Sequence, residues 1–290
     1  VSSWRLVLFG RRLSERHARQ KRVVSGHSRI LYSAPLRIAA HQIGDPLQTM
    51  EQTLVLIKPD ALKNSLTGYV LSQLSEFHTG LRFAAAKIVN VTPMLAEEHY
   101  DEHRGKAFYP ALTDYIRGRV HYGDAPHRRR VIAFVYQGPG AVQKVRDIAG
   151  PTNPHVARDT KPGCVRALGT VVPVKDADGN VIGDRMDNLI HASATVPEAE
   201  REIKLWFKPT DIPPLMRLMP TEVCGEHYYY HEGRLLTSYE VGSTLLMAPG
   251  EIVWKSDLDV VCACQRGETG PYSLNAVAAK YMINGYPDED

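Results

Sequence analysis

The chain has 290 residues, 43 % of them hydrophobic, enough to bury a normal core in one or two domains. It holds no apolar run long enough to span a bilayer, and its four cysteines, Cys164, Cys224, Cys262 and Cys264, lack C-x-x-C spacing and a secretory signal, which argues against a disulfide scaffold and for free thiols in the reduced cytoplasm. The net charge of +3 is uneven: residues 1–49 hold nine Lys or Arg against Glu15 and Asp45, a local +7, and +3 less +7 leaves −4 for the remainder.

Arginine-rich, serine-containing and acid-poor, residues 1–49 are read as a disordered leader, either an organelle transit peptide or sequence upstream of a true start at Met50, with the second preferred. A basic arm for nucleic acid ranks third. From Thr53 to Ile57 an apolar strand stops at Lys58-Pro59, since proline cannot continue a central strand, and Lys58 falls at its end, where functional side chains tend to be presented. Val70, Leu71, Leu74 and Phe77 after Gly68 fit one face of an amphipathic helix. A second helix opens at Thr92-Pro93 and runs through Glu97, Glu98, His99 and Tyr100. After Gly105 come Lys106, Phe108, Leu112 and Tyr115; Phe108 and Leu112, four apart, could clamp a flat base, although aromatics at helical spacing are more often core.

Val131–Tyr136 is a further apolar strand, closed by Gly138-Pro139-Gly140 and followed by a helix with Val142, Val145 and Ile148 that carries Arg146. Thr152, Lys161 and Arg166 follow in loop-like segments, and two arginines with a hydroxyl and a lysine suit phosphate oxygens. No G-x-x-x-x-G-K-[ST] motif occurs, so any phosphate site is not a Walker loop. The most informative stretch is Asn188-Leu189-Ile190-His191-Ala192-Ser193, which precedes a helix capped by Thr195 with Pro197 in its first turn and Ala199, Ile203 and Trp206 on its buried face. His191 offers a nitrogen nucleophile and Glu202 a carboxylate to orient it. Alone, a single histidine is more often an ordinary half-buried residue.

In this order, IKPD at 57–60, EEHY at 97–100, TNP at 152–154, KPG at 161–163, Arg166, NLIHAS at 188–193, Glu202 and the closing Trp206-Phe207 resemble the nucleoside diphosphate kinase family over residues 50–207. The resemblance implies an α/β sandwich of ferredoxin-like type, an antiparallel four-stranded sheet with helices packed on one side. It implies ping-pong transfer of the γ-phosphate of a nucleoside triphosphate through His191 to a diphosphate, with Mg²⁺ held mainly by the nucleotide phosphates rather than by protein ligands. Glu202 would hold the histidine ring and Tyr100 would sit close to the transfer site. Lys58 and Asn188 would contact sugar hydroxyls, Lys58 also reaching the phosphates. Arg146, Thr152 and Arg166 would bind phosphates, and Phe108 would stack on the base with Leu112 beside it, giving broad base specificity.

Several departures from the family pattern stand out. Ala192 and Ala194 occupy positions where the family commonly has glycine and aspartate, and Lys106 one where many members have arginine, which keeps the charge but loses the fork. Two insertions, about 119–130 and 171–187, lengthen the connections before the third strand and before Asn188. The second reads as a hairpin around Asp176-Ala177-Asp178-Gly179-Asn180; its resemblance to a calcium loop fails because Val181 takes the glycine position and Asp187 the place of the final glutamate. It falls in the loop that the family uses for subunit contacts, so a homo-oligomer is expected without a fixed number of subunits.

The domain expectation is a leader at 1–49, a kinase domain at 50–208 and an extension of unassigned role at 209–290. The extension opens with a linker at 208–214. It continues with a turn at Glu232-Gly233 between Tyr228–Tyr230 and Leu235-Leu236, a helix opened by Ser256, and a last helix opened by Ser273. Glu226, His227 and His231 invite a metal reading, outweighed by packing of the extension against the kinase core or another subunit. The leading function is a nucleoside diphosphate kinase acting on nucleoside tri- and diphosphates; the alternatives are a decayed nucleotide-binding interaction module and a histidine phosphocarrier acting on proteins. Neither a membrane nor a specific nucleic acid partner is expected.

Overall fold

The computed structural model describes residues 49–175 and 178–283. The leader at 1–49, apart from Thr49, and residues 176 and 177 of the 176–180 turn therefore lie outside the described residues. Helix α1 (Pro59–Lys63) follows strand β1 (Met50–Ile57) directly, with Lys58 as its extended N-cap. Next come α2 (Thr67–Gln73), α3 (Glu76–Thr79), β2 (Arg82–Val89), α4 (Pro93–His99), α5 (Tyr109–Ile116), β3 (Val131–Pro139), α6 (Ala141–Ala149) and α7 (Pro154–Thr160). The chain continues through a hairpin, β4 (Thr170–Lys175) with β5 (Val181–Asp187), then β6 (Ile190–Ala192) and α8 (Val196–Trp206).

Four strands form one fully antiparallel sheet in the order β2-β3-β1-β6. Alternate side chains of β1 feed two separate cores: Leu54 and Leu56 join Leu95, Ala96, Ile203, Trp206 and Phe207, while Val55 and Ile57 join Val70, Leu74, Ala141 and Val145. Helices thus cover both faces of the sheet, not one as the resemblance implied. The unbroken burial of Gln52–Ile57 is the physical sign of this, because a strand with one wet face alternates.

The single helix expected through Phe77 breaks into two. Ser75 takes an extended conformation and accepts a hydrogen bond from the His78 N–H, starting α3 afresh, so Leu74 is buried while Phe77 is 95 % exposed. The hairpin of the second insertion forms, Thr170 pairing with Asp187 and Val174 with Gly183.

Beyond Phe207 the chain is not a free linker. Ile212, Met216, Met219 and Trp254 are buried in the same core as Trp206, and the Trp254 indole N–H donates to the Phe207 carbonyl at 2.8 Å. The remaining elements are β7 (Thr221–Val223), β8 (Tyr228–His231), β9 (Arg234–Leu236), β10 (Thr244–Met247), β11 (Ile252–Trp254), α9 (Lys255–Gln265) and α10 (Leu274–Ala279). Glu232 and Gly233 both have positive φ, 45° and 82°, making the tight turn between β8 and β9. Helix α9 starts at Lys255, one residue before the expected Ser256, whereas Ser273 caps α10 as its hydroxyl suggested. In the extension, Lys280 and Asp257, each 1 % exposed, form a buried ion pair at 2.9 Å to which Tyr272 adds its hydroxyl at 2.5 Å.

Candidate active site

His191 lies in β6 opposite Leu56 of β1, so the sheet fixes its backbone. The residue two before it, Leu189, is held at φ 70°, a conformation that costs an ordinary side chain about 1–3 kcal/mol. Buried Asp60 helps to hold it there: its Oδ2 accepts the Leu189 N–H at 2.9 Å, while the Leu189 carbonyl accepts the Lys58 N–H at 2.9 Å. The IKPD and NLIH segments are thus tied to each other. Asp60 has no assigned role in the sequence, although it closes the IKPD motif at the end of a strand.

The His191 Nε2 stands 2.9 Å from either oxygen of Glu202. Glu202 also accepts the hydroxyl of Ser193 at 2.6 Å. Two donors on a carboxylate that is 1 % exposed fix its position and place the imidazole proton on Nε2, leaving Nδ1 with the lone pair. Burial pushes Glu202 upward, with His99, Ser193 and Arg201 opposing. Burial first, then Lys58, Arg166, Arg201 and Arg146, hold His191 well below its ordinary value. The ring is therefore neutral at neutral pH. Ser193 was missed in the sequence because its partner lies nine residues on, across a helix turn.

Helix α4 brings His99 and Tyr100 against this pair. The His99 ring meets the His191 ring edge-on at 4.6 Å and Tyr100 at 4.6 Å, and its Nδ1 receives the indole N–H of Trp206 at 3.3 Å. Arg201, another residue without a predicted role, donates to the Glu98 and His99 carbonyls at 3.1 and 3.4 Å and so caps α4 from α8. His99, His191 and Glu202 place ligand atoms within 4.8 Å of one another. Two features oppose a metal there: Trp206 occupies the His99 nitrogen that faces Glu202, and four cationic side chains raise the potential at His191. Among the described residues, Glu226, His227 and His231 form no such cluster.

Of the cations the sequence singled out, Lys58, Arg166 and Arg146 act electrostatically on His191, whereas Lys161 is exposed and pairs with Asp147 at 3.4 Å. Lys58, 6 % exposed, donates to Asn188 Oδ1 at 2.8 Å and lies 5.1 Å from the centre of the Tyr115 ring. Burial, with Arg166 adding to it, lowers its ammonium to about 8. Arg166 donates to the Gly150 carbonyl at 2.9 Å and the Ile190 carbonyl at 3.2 Å; burial, then Arg146, lower it to about 10. Gly150 has to be glycine, since its φ is 81° and an added Cβ would lie 2.1 Å from the Cys164 sulfur. Asn188 Nδ2 reaches the Thr152 carbonyl at 3.0 Å, leaving the Thr152 side chain in an exposed bend. Buried cations with few carboxylates beside them suit an anion of several charges.

On the outer side, Phe108 caps α5 and is 54 % exposed, which leaves its ring face accessible. Leu112 packs partly into the core beneath. Lys106 stands with its Nζ 2.9 Å from His103 Nδ1 and 5.9 Å from the Phe108 ring centre, on the aromatic side of the site. Ala192 has no positive φ and sits in a paired strand, so the missing glycine costs nothing there.

Comparison with known proteins follows the same residues. The sequence profile described as Nucleoside diphosphate kinase matches residues 51–212. The chain is 40 % identical over 166 residues to the nucleoside diphosphate kinase of Pyrococcus furiosus, covering 57 % of this chain and 88 % of that protein. It is 37 % identical over 163 residues to the Thermus thermophilus enzyme, covering 56 % of this chain and 99 % of that one. A crystal form of the Aquifex aeolicus nucleoside diphosphate kinase aligns at 30 % identity and a TM-score of 0.47, over 57 % of this chain and all 100 % of that one. No helix among the described residues is long and apolar enough to cross a membrane. With a profile match covering more than half of its length, this chain belongs to the nucleoside diphosphate kinase family.

Proposed function

We propose that His191 is the phosphoryl acceptor of a ping-pong nucleoside diphosphate kinase. The observation that carries the assignment is the hydrogen-bond order Ser193 to Glu202 to His191 Nε2, which leaves Nδ1 as the nucleophilic nitrogen. In the first half-reaction the Nδ1 lone pair bonds to the γ-phosphorus, the bond from that phosphorus to the β–γ bridging oxygen breaks, and the diphosphate leaves with the electron pair. The imidazolium so formed keeps its proton on Nε2 against Glu202. In the second half-reaction the terminal oxygen of an incoming diphosphate takes the phosphoryl group and returns the lone pair to Nδ1.

Lys58, Arg146 and Arg166, with Thr152, are the groups assigned to the phosphates, Lys58 and Asn188 to the sugar hydroxyls, Tyr100 to the neighbourhood of the transfer, and Phe108, Leu112 and Lys106 to the base side. Their part is positioning and charge stabilisation, which is most of what phosphoryl transfer needs. The cluster offers Mg²⁺ no oxygen cage: its cations and histidines are poor ligands for a hard ion that prefers six oxygens. Magnesium therefore belongs on the nucleotide phosphates, where it neutralises charge. Self-association is part of the same reading, supported by the place of β2 at the end of the sheet and by Ile88 on it, 57 % exposed.

The test is to incubate the protein with γ-labelled ATP, then chase with GDP or CDP, beside His191→Asn. Label that enters the protein in acid-labile form and leaves as GTP or CTP, absent in the variant, is the expected result. Label persisting in His191→Asn would move the nucleophile elsewhere.

A further inference from the structure

The two insertions that set this chain apart meet each other behind the sugar-contact pair. His121, from the first insertion, is 9 % exposed and places Nε2 3.0 Å from Asp187 Oδ2 at the end of the second. Arg185 grips the same carboxylate with two bonds, Nε to Oδ1 at 2.7 Å and Nη2 to Oδ2 at 3.0 Å. Burial pushes the Asp187 carboxyl up, but the bonds from His121 and Arg185 outweigh it and bring it down to about 2, so the carboxylate is charged throughout the working range.

Two routes lead from this clasp to Lys58 and Asn188. By the chain, Asp187 is the residue before Asn188, and its backbone direction sets where the Asn188 amide points. Through space, the His121 ring meets the Tyr115 ring edge-on at 5.2 Å, and Tyr115 carries Lys58 Nζ 5.1 Å from its ring centre. The Lys58–Asn188 bond of 2.8 Å closes the circuit. A one-residue step in either insertion would move both ends of that bond.

We propose that His121, Asp187 and Arg185 form a clasp between the insertions that positions Lys58 and Asn188 for the sugar hydroxyls of the nucleotide. The clasp residues touch no substrate; they are positioning residues. The inference rests on the sugar assignment made above for Lys58 and Asn188. A charge-assisted bond lost from a buried carboxylate is felt most by the group it orients.

The experiment compares the 290-residue chain with His121→Ala, His121→Gln and Arg185→Ala, using ATP and 2′,3′-dideoxy-ATP as donors to a fixed diphosphate. In wild type, ATP is expected to have the lower KM because its hydroxyls are gripped. His121→Ala should raise the KM for ATP about five- to thirty-fold and that for the dideoxy donor markedly less, since the dideoxy donor shares only the phosphate contact of Lys58, so the preference shrinks. His121→Gln, whose amide N–H reaches Asp187, should restore the preference. Arg185→Ala, at the more exposed half of the clasp, should move it partway. An unchanged ATP preference in His121→Ala, or equal KM rises for both donors, overturns the clasp, because a general loosening of the site would not single out the hydroxyls. A wild type that does not discriminate between the donors would instead refute the sugar assignment itself.

Discussion

The relay from Ser193 through Glu202 to His191 makes a quantitative demand. Glu202 is 1 % exposed and takes bonds of 2.6 Å from Ser193 and 2.9 Å from His191, so no water can replace its charge. Glu202→Gln keeps the shape and one acceptor oxygen but removes the negative charge that faces the imidazolium of the phosphorylated state. A hydrogen bond to a charged group is worth about 1.5–3 kcal/mol net, against about 0.5–1.5 for a neutral one. The substitution therefore withdraws about 1–2 kcal/mol from the state in which the ring is cationic, which is about a five- to thirty-fold slower phosphorylation of His191. Nucleotide affinity should be unchanged, since Glu202 faces the ring and not the ligand. Rapid-quench measurement of phosphohistidine formation with ATP separates the two quantities. The decisive comparison is the double variant: the Ser193 hydroxyl bonds Glu202 at 2.6 Å and the Leu54 N–H at 3.2 Å but not the ring, so adding Ser193→Ala to Glu202→Gln should slow the reaction much less than Ser193→Ala does alone. Additive losses, or a loss that appears in binding, would refute the relay.

Other consequences are open to measurement. His191 and His99 are both held well below the ordinary histidine value, chiefly by burial, so the unfolded chain binds protons that the folded chain refuses; stability should be fully present above about pH 6.5 and fall as the pH drops below it, read as a Tm decrease from pH 8 to pH 5.5 that shrinks in His99→Gln. Lys58, lowered to about 8 chiefly by burial, should lose its charge as the pH rises through that value in the free enzyme, so kcat/KM falls on the alkaline side while kcat falls later, nucleotide phosphates having raised its value. Lys280→Met leaves the buried Asp257 carboxylate with the Tyr272 hydroxyl but no counter-charge and should cost about 3–5 kcal/mol by denaturant unfolding, a large part of it recovered in the Lys280→Met, Asp257→Leu pair. Gly150→Ala meets both a positive φ and the Cys164 sulfur, and because Arg166 donates to the Gly150 carbonyl, it should raise the KM for nucleotides as well as lower the Tm.

What could be read from the sequence was whatever is local. Lys58 at a strand end before proline, Thr92 and Thr195 as caps, the turn at Glu232-Gly233 and the apolar register of Ala199, Ile203 and Trp206 each depend on neighbours within a few residues, and each is found where the pattern put it. Phe77 shows the limit of periodicity: its spacing fits the helix face, but a single capping serine resets the helix and turns the ring outward. The motifs marked Lys58, Arg166, His191 and Glu202, which the fold brings together, but not the long-range bonds that aim them. Asp60 reaches Leu189 across 129 positions, and Arg201 reaches His99 across 102, distances at which one sequence carries no pairing information. The same holds for the extension, whose Trp254 bonds to Phe207 and closes the core beneath α8. The segment read as a linker is itself packed, and the fold beyond it, expected to pack against the kinase core or another subunit, lies against that core and supports the helix that carries Glu202. Loss of packing around Trp254 would be transmitted to the carboxylate that orients His191, which ties the stability of the extension to the chemistry of the site.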